Sequence, residues 1–166
     1  MERLRDAEDV AARKGPAATL EALYRAEYTG MVRLAFTLIG NAAESEEVVQ
    51  ESFVDISIRL DDPDTTVREP GAYLRTIVVG RCRSLIRRRR MMQQHPPEPP
   101  ADLPTSAESL WDVLHQLPEH QRIAVVLKYY GGYRASEIAK ITEQPAATVR
   151  SQLRRALTMM RKELTP

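Results

Sequence analysis

Apolar positions recur along this chain at helical spacing, and nowhere do they alternate as a half-buried strand would require. Leu20, Leu23, Tyr24 and Tyr28, then Met31, Leu34, Ala35, Leu38 and Ile39, mark apolar helical faces. Gly40-Asn41 closes one helix and caps the next, because glycine accepts the left-handed geometry of a helix end and a short polar side chain can receive a first-turn N–H. The following stripe is Val49, Phe53, Ile56 and Leu60, spaced i, i+4, i+7 and i+11, and Asp61-Asp62-Pro63-Asp64 ends it. Pro70, preceded by Glu69, stands where a first-turn proline is tolerated, and a long helix is expected from there to about Arg90. Its inward residues are expected to be Leu74, Val78, Cys82 and Leu85.

The pattern breaks at Pro96-Pro97-Glu98-Pro99-Pro100-Ala101-Asp102-Leu103-Pro104, where five prolines remove backbone donors and forbid a continuous helix. Such a stretch favours extended polyproline II and is expected to hold two units apart rather than fold against either. Beyond it, Thr105 or Ser106 can cap a helix carrying Leu110, Trp111, Leu114 and Leu117, with Thr105 and Glu108 spaced as a capping box. Pro118 opens another helix, which buries residues from the set Ile123, Val126, Leu127 and Tyr130 and stops at Gly131-Gly132. Two shorter helices follow, Ala135 to about Ile141 and, after Pro145, Ala146 to about Glu163, with Thr142-Glu143-Gln144 as a tight turn between them. The expected architecture is all-α, with a tail or extra helix at 1–14, domains at 15–92 and 106–166, and a linker at 93–105.

Composition narrows the function classes. Apolar residues at 43% and charged residues at 28% suit a folded chain, and no apolar run approaches the roughly 20 residues needed to span a bilayer. The N-terminus carries no signal-peptide pattern, so the expectation is a cytoplasmic protein without membrane insertion. Cys82 is the only cysteine, His95, His115 and His120 are scattered, and no metalloprotease, phosphate-loop or nucleophile-elbow motif is present. No catalytic residue, metal or cofactor is expected. The formal charge of +1 conceals a sharp partition. Residues 1–69 hold 8 basic and 15 acidic residues, whereas residues 70–95 hold 7 arginines and no acid. Of the basic residues 20 are arginine, the side chain suited to bidentate phosphate and base contacts.

Three constellations carry function. In the last helix Val149, Leu153, Ala156 and Met160 form an inward stripe that leaves Arg150, Arg154 and Arg161 on another face, with Ser151 and Arg155 beside them. A short helix, a tight turn and a longer basic helix are the parts of a helix-turn-helix. The ordered string Leu117-Pro118, Arg122, Leu127, Glu137-Ile138-Ala139, Thr148-Val149-Arg150-Ser151, Leu153 and Ala156 resembles region 4 of sigma factors. That resemblance implies that Ala146, Ala147, Thr148, Arg150, Ser151 and Arg154 face a promoter −35 element, with Arg134 and Arg155 on phosphates. In the first domain, Glu46-Glu47-Val48-Val49-Gln50-Glu51-Ser52-Phe53 resembles the acidic signature of sigma region 2 that docks on the polymerase clamp. Glu46, Glu47, Gln50, Glu51 and Val54 are its candidate polymerase contacts. The arginine helix from Ala72 to Arg90 is similar to sigma regions 2.3 and 2.4, which implies a −10 role for Arg75, Thr76, Gly80, Arg83, Ser84, Arg87 and Arg88. Arg90 shares the face of Thr76, Gly80, Arg83 and Arg87, and the loop from Asp61 to Glu69 would help hold a flipped base.

Region 2, a proline-rich linker and region 4 in order, without region 3, resemble the minimal extracytoplasmic-function sigma factor. The implied partners are core RNA polymerase, through its clamp helices and flap, promoter DNA, and an anti-sigma factor. Several positions depart from the family pattern. Gly80 and Ser84 stand where Asn and Asp are usual, Tyr73 replaces Trp, Thr142-Glu143 replaces Leu-Gly, and Pro145 takes the place of Ser. Glu143 is poorly suited to positive φ, so the turn is expected to be strained or differently built. Two other readings remain at this point. One is a stand-alone helix-turn-helix regulator whose first domain senses or dimerises, and the other is a small helical nuclease, for which a metal cluster or nucleophile-base pair is lacking.

Overall fold

The computed structural model describes residues 15–92 and 105–164. The tail at 1–14 and the proline-rich stretch lie outside them, as do the side chains of the Thr105–Glu108 capping pair. Among the described residues there are seven α-helices, one π-helical turn and no strand, so the all-α expectation holds.

The first domain is three helices, α1 (Pro16–Ile39), α2 (Ala42–Asp61) and α3 (Pro70–Met91). Their ends fall where local chemistry puts them. Gly40 takes φ 73° and donates its N–H to Phe36 O at 2.7 Å, closing α1. Asn41 follows in extended conformation, and its side-chain oxygen accepts the Glu44 N–H at 3.0 Å. At the far end of α2, Asp62 accepts the Asp64 N–H at 3.0 Å and the Thr65 hydroxyl at 2.7 Å, which together hold its carboxyl below the usual range.

Leu38, Ile39, Val49, Ile56, Leu74, Val78, Val79 and Cys82 are the fully buried centre of this domain. The inward line of α3 continues to Ile86, while Leu85 is only partly buried. Leu85 packs against the core as expected, and the four-residue step from Leu74 through Val78 and Cys82 carries on to Ile86. Cys82 is shut in, and desolvation pushes its thiol up to about 12. Tyr24 and Tyr28 stack at 4.6 Å between centroids, and Tyr24 meets the edge of Phe53 at 5.1 Å.

The second domain is α4 (Thr105–Gln116), α5 (Glu119–Val125), a π-helical turn (Val126–Tyr130), α6 (Ala135–Thr142) and α7 (Ala146–Leu164). Trp111, Leu114, Leu117, Ile123, Leu127, Ile138, Val149 and Ala156 are buried in it. Of the set expected to supply the core, Ile123, Val126 and Leu127 are buried and Tyr130 is exposed, as is Leu110 of α4. The π turn is the reason for Tyr130. Gly131 N–H reaches back five residues to Val126 O at 3.0 Å, and the extra residue rotates Tyr129 and Tyr130 outward. Of the two glycines only Gly132 is left-handed, at φ 73°. Gly131 is required for a different reason: a Cβ there would fall 2.5 Å from the Tyr133 ring.

Arg122 is buried, and it donates to His115 O at 3.2 Å, capping the carbonyl end of α4 with a cation. Its Nη1 also lies 3.2 Å from His115 Nδ1.

The two domains pack against each other, contrary to the expectation that the linker holds them apart. The Phe36 ring of α1 lies 5.4 Å from Trp111, which lies 4.4 Å from His115. Helices α3 and α6 also touch. Docking is favoured where each unit presents partly apolar, mutually fitting surface.

Burial, with the charges of Arg122 and Arg89 nearby, pushes His115 down to about 3, although hydrogen bonding to the Thr37 backbone pulls the other way. Its ordinary value of about 6.5 returns when the site opens. The opened state therefore binds more protons below that pH. Stability is fully present above about pH 6.5 and is lost progressively as the pH falls toward 3. The expected loss between pH 6.5 and 5 is about 1–2 kcal/mol, read as a lowered melting temperature, and His115→Gln should flatten that dependence.

Candidate nucleic-acid interface

The last two helices form the helix-turn-helix unit. The Glu137 carboxylate accepts the Arg134 N–H at 2.6 Å at the start of α6. At its end Glu143 sits at φ 54°, ψ 43°, the left-handed conformation that the sequence identified as unfavourable for glutamate. The strain is offset by its neighbours. Gln144 N–H bonds Ala139 O at 2.9 Å, and Gln144 Oε1 accepts from Gln152 Nε2 at 2.9 Å, tying the turn to α7. The first turn of α7 closes with Val149 N–H on Pro145 O at 3.1 Å.

Val149 and Ala156 fix the inner side of α7, with Leu153 and Met160 half-buried beside them. On the outside Arg134, Ala147, Thr148, Arg150, Arg154 and Arg155 are exposed, while Ala146 and Ser151 are partly covered. The residues singled out in sequence thus share an accessible basic surface around the N-terminal half of this helix.

Helix α3 is more divided. Gly80, Ser84, Arg87, Arg88 and Arg90 are exposed. No atom lies within 4 Å of a Cβ built on Gly80, so packing does not require a glycine there. Arg75 and Arg83, expected on the same DNA-facing surface, are engaged by the second domain. The Arg75 guanidinium lies 4.7 Å from the centre of the Tyr133 ring. Arg83 donates to Thr142 O at 3.1 Å and approaches Glu119 at 3.8 Å. The Thr76 hydroxyl donates to Ala72 O at 3.1 Å. Of the run Arg87 to Arg90, Arg89 turns inward, donating to Ile39 O at 2.8 Å and pairing with Glu44.

On α2, Glu46, Glu47, Gln50, Glu51 and Val54 are all exposed. Glu51 is not free: with Asp55, at 2.6 Å, it receives Arg81 of α3. Ile58, 64% exposed and one turn beyond Val54 at 58%, was missed in the sequence reading. Its i+4 spacing from Val54, off the buried stripe, is the signal that would have found it. Also missed was an apolar groove of about 370 Å³, lined by Leu110, Leu114, Val126, Tyr129, Tyr130 and Met160 and reaching Thr37 of α1.

Among the described residues no cluster of His, Cys, Asp or Glu could hold a metal ion, and no helix is long and apolar enough to cross a membrane.

Comparison with known proteins covers both domains. The family model for sigma-70 region 2 matches residues 23–91 and that for sigma-70 region 4 matches residues 107–160. The chain is 28% identical over 142 residues to RNA polymerase sigma factor SigV of Bacillus subtilis (strain 168), covering 80% of this chain and 83% of the relative. It is 25% identical over 153 residues to the ECF RNA polymerase sigma factor SigW of the same organism, covering 80% and 81%. Among solved structures it shares the fold of the sigma factor RpoE, solved in complex with the anti-sigma factor NepR from Bartonella quintana. There the TM-score is 0.63 at 20% identity, covering 82% of this chain and 90% of that one. A stand-alone regulator would need only the helix-turn-helix, and the region 2 match over the first domain overturns that reading. Carrying both regions in order across most of its length, the chain belongs to the sigma-70 family, as an alternative sigma factor of the extracytoplasmic-function type that directs transcription initiation.

Proposed function

We propose that the chain divides its work among three surfaces. The exposed strip of α2, comprising Glu46, Glu47, Gln50, Glu51 and Val54 and extended by Ile58, docks on the clamp helices of core RNA polymerase. The second domain meets the polymerase flap. The α7 surface, Ala146, Ala147, Thr148, Arg150, Ser151 and Arg154, reads a −35 element while Arg134 and Arg155 hold phosphates. The α3 surface, Arg75, Thr76, Gly80, Arg83, Ser84, Arg87 and Arg88, acts at −10, with the 61–69 loop beside it.

The observation that carries this reading is the exposure of Val54 and Ile58 on a helix whose other apolar residues are mostly buried. An uncovered apolar pair flanked by acids is suited to a helical protein partner rather than to DNA. The arginines of α3 and α7 supply the opposite kind of surface, suited to phosphate and base edges. Recognition at −10 and at −35 is then a property of separate domains.

The RpoE structure holds an anti-sigma factor, and such a partner is proposed here too. The groove between Leu110, Tyr129, Tyr130 and Met160 would accept the apolar face of a helix from it.

Transcription from a genomic promoter library, using the purified chain with core polymerase and sequencing of the 5′ ends, tests the proposal. Defined start sites preceded by a shared pair of motifs are expected, and no initiation above core polymerase alone would refute it. Val54→Lys should weaken polymerase binding by about tenfold or more with an unchanged melting temperature, measured by fluorescence anisotropy of the labelled chain. Arg150→Ala should cost about 1–3 kcal/mol in promoter binding by the holoenzyme and relax preference at one −35 position. Arg155→Ala should instead weaken all promoters alike and lower the salt slope by about 1.

A further inference from the structure

Four exposed residues of α2 fall on one line. Glu47, Glu51, Val54 and Ile58 are spaced i, i+4, i+7 and i+11, so two acids and the uncovered apolar pair form a single stripe along the helix. Toward its N-terminal end the stripe becomes one wall of a cleft of about 390 Å³ between α2 and α3. Glu47, Val48 and Glu51 line the α2 side, and Ser84, Leu85 and Arg88 line the α3 side.

The charges around this cleft are not all used within the chain. The two helices run antiparallel, with Arg89 on Glu44 at one end and Arg81 on Glu51 and Asp55 at the other. Between these ion pairs Glu47 and Arg88 border the same space, and neither is ion-paired among the described residues. The Ser84 hydroxyl donates to Gly80 O at 3.1 Å, within its own helix. Val48 is buried and Leu85 half-buried, which gives the cleft an apolar floor.

Arg88 thereby stands apart from its neighbours. Thr76, Gly80, Arg83 and Arg87 follow one line at i, i+4, i+7 and i+11. Arg88 comes one residue, about 100°, after Arg87 and shares with Arg81, Ser84 and Leu85 the line that borders α2.

Such a cleft is matched by an occupant of reversed polarity, with a basic group for Glu47, an acidic group for Arg88 and methylene groups over the floor. Nucleic acid supplies only negative charge to this space and would be repelled by Glu47 and Glu51. A protein helix lying along the α2 stripe supplies every part. Its apolar side chains cover Val54 and Ile58, and about 10 Å further along it carries a basic and an acidic residue one turn apart. We propose that Arg88 is a polymerase-docking residue rather than a −10 DNA residue, and that the α2–α3 cleft receives a basic and an acidic side chain from the polymerase helix that covers Val54 and Ile58. The proposal rests on the reading of the α2 strip as the polymerase surface, and it moves Arg88 out of the −10 set given above.

The test measures binding of the labelled full chain to core polymerase by fluorescence anisotropy, without DNA. Arg88→Glu puts carboxylates on both walls and should weaken binding by about tenfold or more. Arg87→Glu, the same change of charge one residue away, should weaken it by about threefold or less. Combining Glu47→Arg with Arg88→Glu reverses the cleft, and the loss should persist because both partner groups then meet like charge. Recovery of wild-type affinity in that double variant would show that the two residues act only through each other and would overturn the proposal. Equal losses for Arg87→Glu and Arg88→Glu would overturn it too, as would full affinity in Arg88→Glu. All three positions are exposed, so an unchanged melting temperature is expected throughout. Val54→Lys separates the cleft from the docking itself. If Val54→Lys weakens binding and Arg88→Glu does not, the cleft fails and the docking surface stands; if neither does, both fail.

Discussion

Seven arginines lie within the sixteen residues from Arg75 to Arg90, with no acid among them, and they repel one another along a single helix. The structure answers them with groups drawn from every side. Arg81 is met by Glu51 and Asp55 of α2, and Arg89 by Glu44 and the last carbonyl of α1. Arg83 finds a carbonyl and a carboxylate in the second domain, and Arg75 finds an aromatic ring. Only Arg87, Arg88 and Arg90 are left facing solvent. The acidic excess of residues 1–69 is thus not spare charge. Part of it neutralises the helix that follows, which otherwise carries seven like charges.

The same accounting explains why one acidic strip has two kinds of member. Glu47 and Gln50 lie open, whereas Glu51 combines an internal ion pair with its place in the proposed polymerase surface. Exposed pairs of this kind contribute little to stability, since both partners remain well solvated. Their value here is positional: Arg81 fixes the α2–α3 geometry and holds Glu51 at the edge of the cleft between those helices. Substitution at Glu51 consequently reports on the ion pair and on the proposed docking together, and Val54 and Ile58 probe the proposed surface alone.

Much of the fold could be read from local sequence, because its boundaries are set by local chemistry. Gly40-Asn41, Pro70 and the Gly131-Gly132 pair each act within a few residues of themselves, and helices end or begin there as expected. The unfavourable φ at Glu143 was legible for the same reason. The misses have a different character. Which member of the set Ile123, Val126, Leu127 and Tyr130 would face outward was left open, because the additional residue of a π turn is a shift that a 3.6-residue period does not register. The docking of the two domains depends on a ring, a backbone carbonyl and a half-buried histidine far apart in the chain. None of these leaves a periodic trace, and a carbonyl acceptor leaves no trace in side-chain identity at all. The candidate DNA residues were found individually, yet their split into exposed and engaged sets appeared only in three dimensions.

The π turn at Val126–Tyr130 sets the phase of everything after it. One residue fewer would restore α-helical register and rotate the following segment by about 100°. Tyr133 would leave α3, and Tyr129 and Tyr130 would swing toward the core they now avoid. A single-residue deletion there would therefore leave the helices of both domains in place and change only how the two domains meet. In such a lineage the fit between the two domains would be inherited as a count of residues rather than as their identity.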